Sequence, residues 1–435
     1  MPSNPPPPPR QGPRPLPLHL ATASLAWTSS LAVLPLLRNG SLAWRPELAP
    51  AASRLVPELA AADPEALAAA VAAEARRRCA AFLDGIQAYR HASFRRPPAE
   101  APVAWQDGTT RLLDYRAERG GRRGLPVLVV PSLINRCWIL DLLPERSFMR
   151  FLAGAGLRPF LVDWDRPAAE RRFGLADYIL GRLSGALDAV LAGCGERAVL
   201  LGYCMGGLLA LGLAEARGRD LAGLALLATP WDFHAERAEQ ARLLAALLPA
   251  LEPMLAALGE LPVDAIQALF AALDPGLALR KFIGFAALDP ASERARHFVA
   301  LEDWLNDGVP LAAPVARECI GGWYGENATA RGAWRLGARA VSPRRVAVPS
   351  LVVIPDQDRI VPPASAFALA RALPRSAVLR APAGHIGMMT AGKAEQEVWR
   401  PIGAWIASRA LSCTATAPSI KSAGKAKRTA RRRQP

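Results

Sequence analysis

One cysteine in this chain of 435 residues stands where a nucleophile would stand. In Ala198-Val-Leu-Leu-Gly-Tyr-Cys-Met-Gly-Gly-Leu-Leu-Ala210 an apolar run of strand character turns into a helical one, and the turn reads G-x-C-x-G-G at Gly202, Cys204, Gly206 and Gly207. So sharp a turn strains the backbone at its apex and demands small neighbours. The helix behind it presents free N–H groups and the positive end of its dipole to the sulfur. A sulfur that takes up an acyl group becomes a thioester, itself a good acyl donor, so the chemistry favours transfer to another nucleophile over plain hydrolysis. A structural cysteine in a glycine-rich helix start is the bland alternative. It is set against downstream partners: two carboxylates, Asp356 and Asp358, in Leu351-Val-Val-Ile-Pro-Asp-Gln-Asp-Arg-Ile-Val-Pro362, and then His385 in Ala381-Pro-Ala-Gly-His-Ile-Gly387. A histidine beside the thiol serves as base, and a carboxylate orients the histidine and balances its charge.

The other four histidines have weaker claims. His19 and His91 lie in the N-terminal region, and His297 sits in a charged helical segment expected to be a solvated face. His234, at the end of Thr229-Pro-Trp-Asp-Phe-His234, is the rival base because it follows a strand end. Acyl transfer also needs donors for the developing oxyanion. One is the N–H of Met205, directly after the nucleophile. The other is expected from the loop Pro131-Ser-Leu-Ile-Asn-Arg136, at Ile134, with Leu133 as the adjacent alternative. The six cysteines are scattered without a C-x-x-C pair or zinc spacing, so no metal site is expected, and reduced thiols in the cytoplasm fit best.

The elements that must position these groups follow from hydrophobic patterning. Strand-like runs fall at Arg111–Tyr115, Leu125–Pro131, Pro159–Val162, Ala198–Leu201, Leu221–Leu227, Leu351–Ile354 and Ala377–Leu379, most of them separated by helical lengths. That pattern predicts an α/β fold with a mostly parallel sheet and crossover helices. The interval from about 233 to 346 is too long for a connection and reads as a helical cap insertion. The domains expected are a Pro-rich disordered head over 1–15, an N-terminal helical region over 16–104 with a helix capped by Asp63, a catalytic domain over 105–410, and a basic disordered tail over 411–435. The net charge is +15, but the last fifteen residues hold seven basic residues and no acid, so much of it is tail and no nucleic-acid partner is expected. The apolar stretch Leu16–Leu37 is interrupted by prolines and hydroxyl residues and makes a poor export signal; no stretch reads as a membrane span.

In three blocks the sequence resembles the polyhydroxyalkanoate synthases, an acyltransferase family with the α/β-hydrolase fold. The blocks are Pro131-Ser-Leu-Ile-Asn-Arg-Cys-Trp-Ile-Leu-Asp-Leu-Leu-Pro-Glu-Arg-Ser147 running on to Leu161-Val-Asp-Trp164, then Gly202-Tyr-Cys-Met-Gly-Gly207, then Gly384-His-Ile-Gly387. Phe298-Val-Ala-Leu-Glu-Asp-Trp-Leu-Asn-Asp307 and Gly321-Gly-Trp-Tyr-Gly-Glu-Asn327 in the cap look similar too, and the likeness spans about residues 105–408. The resemblance implies a catalytic set of Cys204, Asp358 and His385, in that chain order, with Asp358 preferred over Asp356 because Asp-x-x-Val-Pro is the usual form of this loop. It further implies an (R)-3-hydroxyacyl-CoA substrate, release of CoA, a growing chain held as a thioester, no cofactor, residence on a polymer granule, and a homodimer or a partner subunit. Family members commonly carry histidine straight after the aspartate, where this chain has Arg359. Two other readings share these residues: a Cys-dependent hydrolase, thioesterase or polymer depolymerase with water as acceptor, and a granule-associated protein without turnover.

Overall fold

The computed structural model describes residues 9–97, 101–116, 124–167 and 169–414, with side chains to 410. Ahead of the sheet lie α1 (Leu16–Ala32) and α2 (Pro64–His91). Asp63 caps α2 by accepting a hydrogen bond from the Ala66 N–H at 2.8 Å. The main sheet has eight strands: β1 (Val103–Asp107), β2 (Thr110–Asp114), β3 (Pro126–Val130), β4 (Arg158–Asp163), β5 (Ala198–Tyr203), β6 (Leu221–Leu227), β7 (Ser350–Pro355) and β8 (Ser376–Ala381). Their spatial order is β1-β2-β4-β3-β5-β6-β7-β8. β1, β2 and β4 pair antiparallel in turn, and every pairing from β4 through β8 is parallel.

The seven sequence-predicted strands are all present. β1 went unread because Val103-Ala-Trp-Gln-Asp107 is half polar and mostly exposed, so it carries no buried-strand signal. The central strands are apolar throughout because helices cover both faces of the sheet. Alternate residues of one strand feed different cores: Leu128, Leu200 and Leu226 pack on one face, Val129, Leu201 and Leu227 on the other. The nucleophile strand β5 is fourth from the β8 edge and wholly buried, and α3 (Met205–Arg217) runs back from its C-terminal end.

Between β6 and β7 the chain leaves the sheet and builds the cap. Its helices include Ala238–Ala245, Leu248–Leu258, α4 (Val263–Ala271), α5 (Leu277–Ala286) and α6 (Glu293–Asn306). The N-terminal helices pack on this cap: Phe82, Ile86 and Tyr89 of α2 share a core with Phe282 and Phe285 of α5 and Val299 of α6. The rings pack edge to face, their centroids 6.3 Å apart for Phe82–Phe282 and 5.8 Å for Tyr89–Phe282. Leu16–Leu37, too broken to read as an export signal, belongs to this layer as α1 and the short helix Leu34–Arg38.

Two expectations are corrected. His297 is on a half-buried part of α6 rather than a solvated face, because α6 is wedged between α5 and the sheet domain. The head was expected to be disordered through residue 15, yet Arg10 is almost wholly buried and paired with Asp303 at 2.6 Å, which holds the described part of the head against the cap. The first eight residues and the tail from residue 415 lie outside the described residues, and Arg400–Thr414 is helical. Among the described residues no single helix is long and apolar enough to cross a membrane.

α2 and α5 touch at backbone level: a Cβ on Gly85 would lie 2.8 Å from the Phe282 carbonyl carbon. Gly85→Val is therefore expected to pry the N-terminal layer from the cap and cost about 1–3 kcal/mol, as overpacking does elsewhere. Thermal unfolding checks this; an unchanged melting temperature would show the contact to be soft.

Candidate active site

The strand β5 and helix α3 meet at Cys204, whose φ of 57° and ψ of −127° put a side-chain-bearing residue in a region few such residues enter. The strain is held in place by the Cys204 N–H donating to Leu227 O at 2.8 Å and by the Gly207 N–H donating to Cys204 O at 2.9 Å. The glycines are required by contact. A Cβ on Gly202 would lie 2.5 Å from Gly206 O, and one on Gly206 would lie 2.6 Å from Pro131 O. A Cβ on Gly207 would run into the Thr229 side chain. The elbow is thus wedged between its own helix, the Pro131 loop and the end of β6, and the sulfur has one direction left, toward the cap.

The loop after β8 brings His385 to this point and the loop after β7 brings Asp358. His385 Nδ1 and Asp358 Oδ2 are 2.6 Å apart, and both residues are buried. The other oxygen of Asp358 accepts from the N–H groups of Ile360 and Val361, each at 2.8 Å, so the carboxylate is fixed by its own loop. Asp356 points outward and pairs with Arg380 at 2.8 Å; it takes no part in the contact with His385. His234, the rival base, is engaged with the Tyr324 carbonyl at 2.7 Å.

Burial pushes the His385 imidazole down, but the charge of Cys204 and the bond to Asp358 outweigh it and carry its pKa from 6.5 up to about 10. The histidine is therefore protonated at neutral pH and faces the sulfur as a cation. Burial pushes the thiols of Cys137, Cys194 and Cys319 up, which leaves them poor nucleophiles.

Two residues about the site escaped sequence reasoning. Tyr203, the variable residue inside the elbow motif, donates its hydroxyl to His385 O at 3.0 Å, with the two rings 5.3 Å apart, and so sets where the imidazole sits. Tyr324 of the cap is close enough to Cys204 that, after burial, the cysteine charge helps hold its phenol neutral. The first had a signal in its place beside the nucleophile. The second had none, because the cap is brought over the sheet by tertiary packing.

Cys204 and His385 open into a cavity of about 480 Å³ between the sheet and the cap. Its walls are mainly apolar, with Ile134, Ile139, Phe270, Leu273 and Trp304 among them. Met205 opens α3, where N–H groups lack partners within the helix. Ile134 lines the cavity and its N–H makes a 3.2 Å contact with Ser132 Oγ, whereas Leu133 faces a separate small hollow. Among the described residues no group of His, Cys, Asp or Glu has the arrangement of a metal site.

Residues 162–391 match the sequence model of the alpha/beta hydrolase fold, and residues 98–152 match that of the poly-beta-hydroxybutyrate polymerase (PhaC) N-terminus. Curated relatives extend the match. A poly(3-hydroxyalkanoate) polymerase subunit PhaC of Allochromatium vinosum is 30% identical over 310 residues, covering 69% of this chain and 86% of its own. The subunit of the same name from Haloferax mediterranei is 26% identical over 352 residues, covering 80% and 71%, and that from Synechocystis sp. is 29% identical over 295 residues, covering 66% and 78%. With the elbow cysteine, the Asp358–His385 pair and the capped cavity on an α/β-hydrolase sheet, this chain belongs to the poly(3-hydroxyalkanoate) polymerase family.

Proposed function

We propose that the chain polymerises (R)-3-hydroxyacyl-CoA into polyhydroxyalkanoate with release of CoA, and that Cys204 carries the acyl group. The observation that supports this most directly is the Cys204–His385–Asp358 set opening into an apolar, capped cavity. The Cys204 thiolate attacks the thioester carbonyl of the substrate. The new S–C bond forms as the CoA S–C bond breaks, and the CoA sulfur takes the proton of the His385 imidazolium. Met205 and Ile134 N–H groups stabilise the oxyanion, which draws the Ile134 donor from Ser132.

Acylation also changes the base. The contribution that most raises His385 is the charge of Cys204, and a thioester has none. Burial then lowers the imidazole, and it can accept the hydroxyl proton of a second hydroxyacyl-CoA. That hydroxyl oxygen attacks the acyl-enzyme, an ester forms, and Cys204 leaves as a thiolate. The extended acyl-CoA re-acylates Cys204 and frees CoA. No cofactor enters these steps. The apolar cap keeps water from a thioester that would otherwise hydrolyse and end the chain.

We place the enzyme in the cytoplasm at the polymer granule, supported by family membership and by exposed leucines on α1, Leu25 being 69% exposed. A homodimer or a partner subunit rests on family membership alone.

With (R)-3-hydroxybutyryl-CoA, Cys204→Ala is expected to lower CoA release by a factor on the order of 10⁶, as loss of a nucleophile does in another triad enzyme. Asp358→Asn is expected to lower it about 10⁴-fold. CoA release assayed together with the acyl product checks both: polymer supports the reading, and Cys204-dependent release of free hydroxy acid alone would replace it with a hydrolase.

The titration of His385 has a definite sign. Its folded pKa lies above the unfolded value of 6.5, so its charge stabilises the fold fully below about 6.5, and that contribution is lost as pH rises toward about 10. Nitrogen NMR of the imidazole should find it protonated at pH 8, and Cys204→Ala should move the midpoint down. An unmoved midpoint would mean that the sulfur does not set the state of the base.

A further inference from the structure

The cavity at Cys204 has a wall that comes from the far N-terminal end of the described chain. Pro13, Arg14 and His19 line it together with Cys204, His385 and the cap residues. These residues precede the segment matched by the polymerase N-terminal model, which begins at residue 98. The segment is strapped across the cap by side chains. Arg10 forms two hydrogen bonds to Asp303, at 2.6 and 3.0 Å, and also donates to the carbonyls of Ala92 and Phe94. Arg14 pairs with Asp264 of α4 at 2.7 Å, and its N–H donates to Asn306 Oδ1 at 2.8 Å. Arg90 of α2 reaches the carbonyls of Gln11 and Gly12, both at 3.3 Å.

Volume makes this wall consequential. About 480 Å³ is a space that encloses one drug-sized molecule. It holds a short hydroxyacyl oligomer and not a polymer, so a chain that keeps growing on Cys204 must extend beyond the cavity and past one of the segments that border it. The sheet loops and packed cap helices are held by shared cores and backbone ladders. The segment from Arg10 to Pro15 joins no strand or helix and is tied only by side chains, and two of those ties, Arg14 to Asp264 and Arg90 to Gln11, are exposed, which makes it the wall that opens at least cost.

We propose that residues 9–15 are the wall past which the growing chain leaves the cavity: in place, the strap limits the acyl chain to a short oligomer, and displaced, it lets the polymer out. This rests on the polymerase reading above. The ties of Arg10 and Arg14 to Asp303, Asp264 and Asn306 set how readily it opens.

A staple tests it. A Cβ on Gly12 would fall against the Asn306 side chain, so cysteines at both positions are within disulfide reach. The Gly12→Cys/Asn306→Cys double variant is compared oxidised and reduced, with wild type under the same treatments to register any oxidation of Cys204, and the disulfide is verified by mass. The oxidised form is expected to release the first CoA as its reduced form does, and then to stop at oligomers short enough for mass spectrometry, with reductant restoring polymer. Polymer of equal length in both states, or loss of the first CoA release on oxidation, would overturn the proposal. Arg10→Ala, which loosens the strap without touching the cavity, is expected to raise the rate of longer 3-hydroxyacyl-CoA homologues relative to hydroxybutyryl-CoA; an unchanged ratio counts against it. Absence of CoA release from wild type and reduced variant alike would instead refute the polymerase reading.

Discussion

The backbone at Cys204 is the constraint from which the rest follows. A residue with a side chain at φ 57° persists only when its surroundings leave it no alternative. Here they are the ends of β3 and β6 on either side, glycines where the loop and helix close in, and a helix launched from the next residue. The sulfur is thereby held proud of the sheet at the start of a helix, with the two loops that carry Asp358 and His385 emerging from the same end. Parallel strands make this possible, since all of β3 to β8 deliver their C-terminal loops to one side.

Charge then turns geometry into a cycle. Asp358 is locked by two backbone N–H groups, orients His385 and, together with Cys204, raises the imidazole against the opposing effect of burial. In the proposed cycle each acylation would remove the sulfur's charge and each transfer restore it, so that the histidine alternates between acid and base. The cap makes the same interaction stronger by keeping water, and its high dielectric, away from the pair.

Much of this was legible in the sequence because local rules dominate where the chemistry is. The elbow is a contiguous motif, and the seven apolar strands announce themselves by composition. His385 and Asp358 follow strands whose loops have only one end of the sheet to occupy. The structure also separates Asp358 from Asp356 by their partners, His385 for the one and Arg380 for the other. What escaped was set by tertiary packing. β1 is a polar edge strand, and His297 became half-buried only because its helix is wedged. The docking of Pro9 to Pro15 depends on Asp303 and Asn306, almost three hundred residues away, and no local pattern reports a contact of that separation.

The most direct measurement is to expose the enzyme to butyryl-CoA, a substrate that can acylate but has no 3-hydroxyl with which to extend, and to map the adduct by mass spectrometry of the digested chain. The account predicts one butyryl group, on the peptide bearing Cys204, with one CoA released. An adduct on another residue, or none in a preparation that still polymerises (R)-3-hydroxybutyryl-CoA, would contradict it.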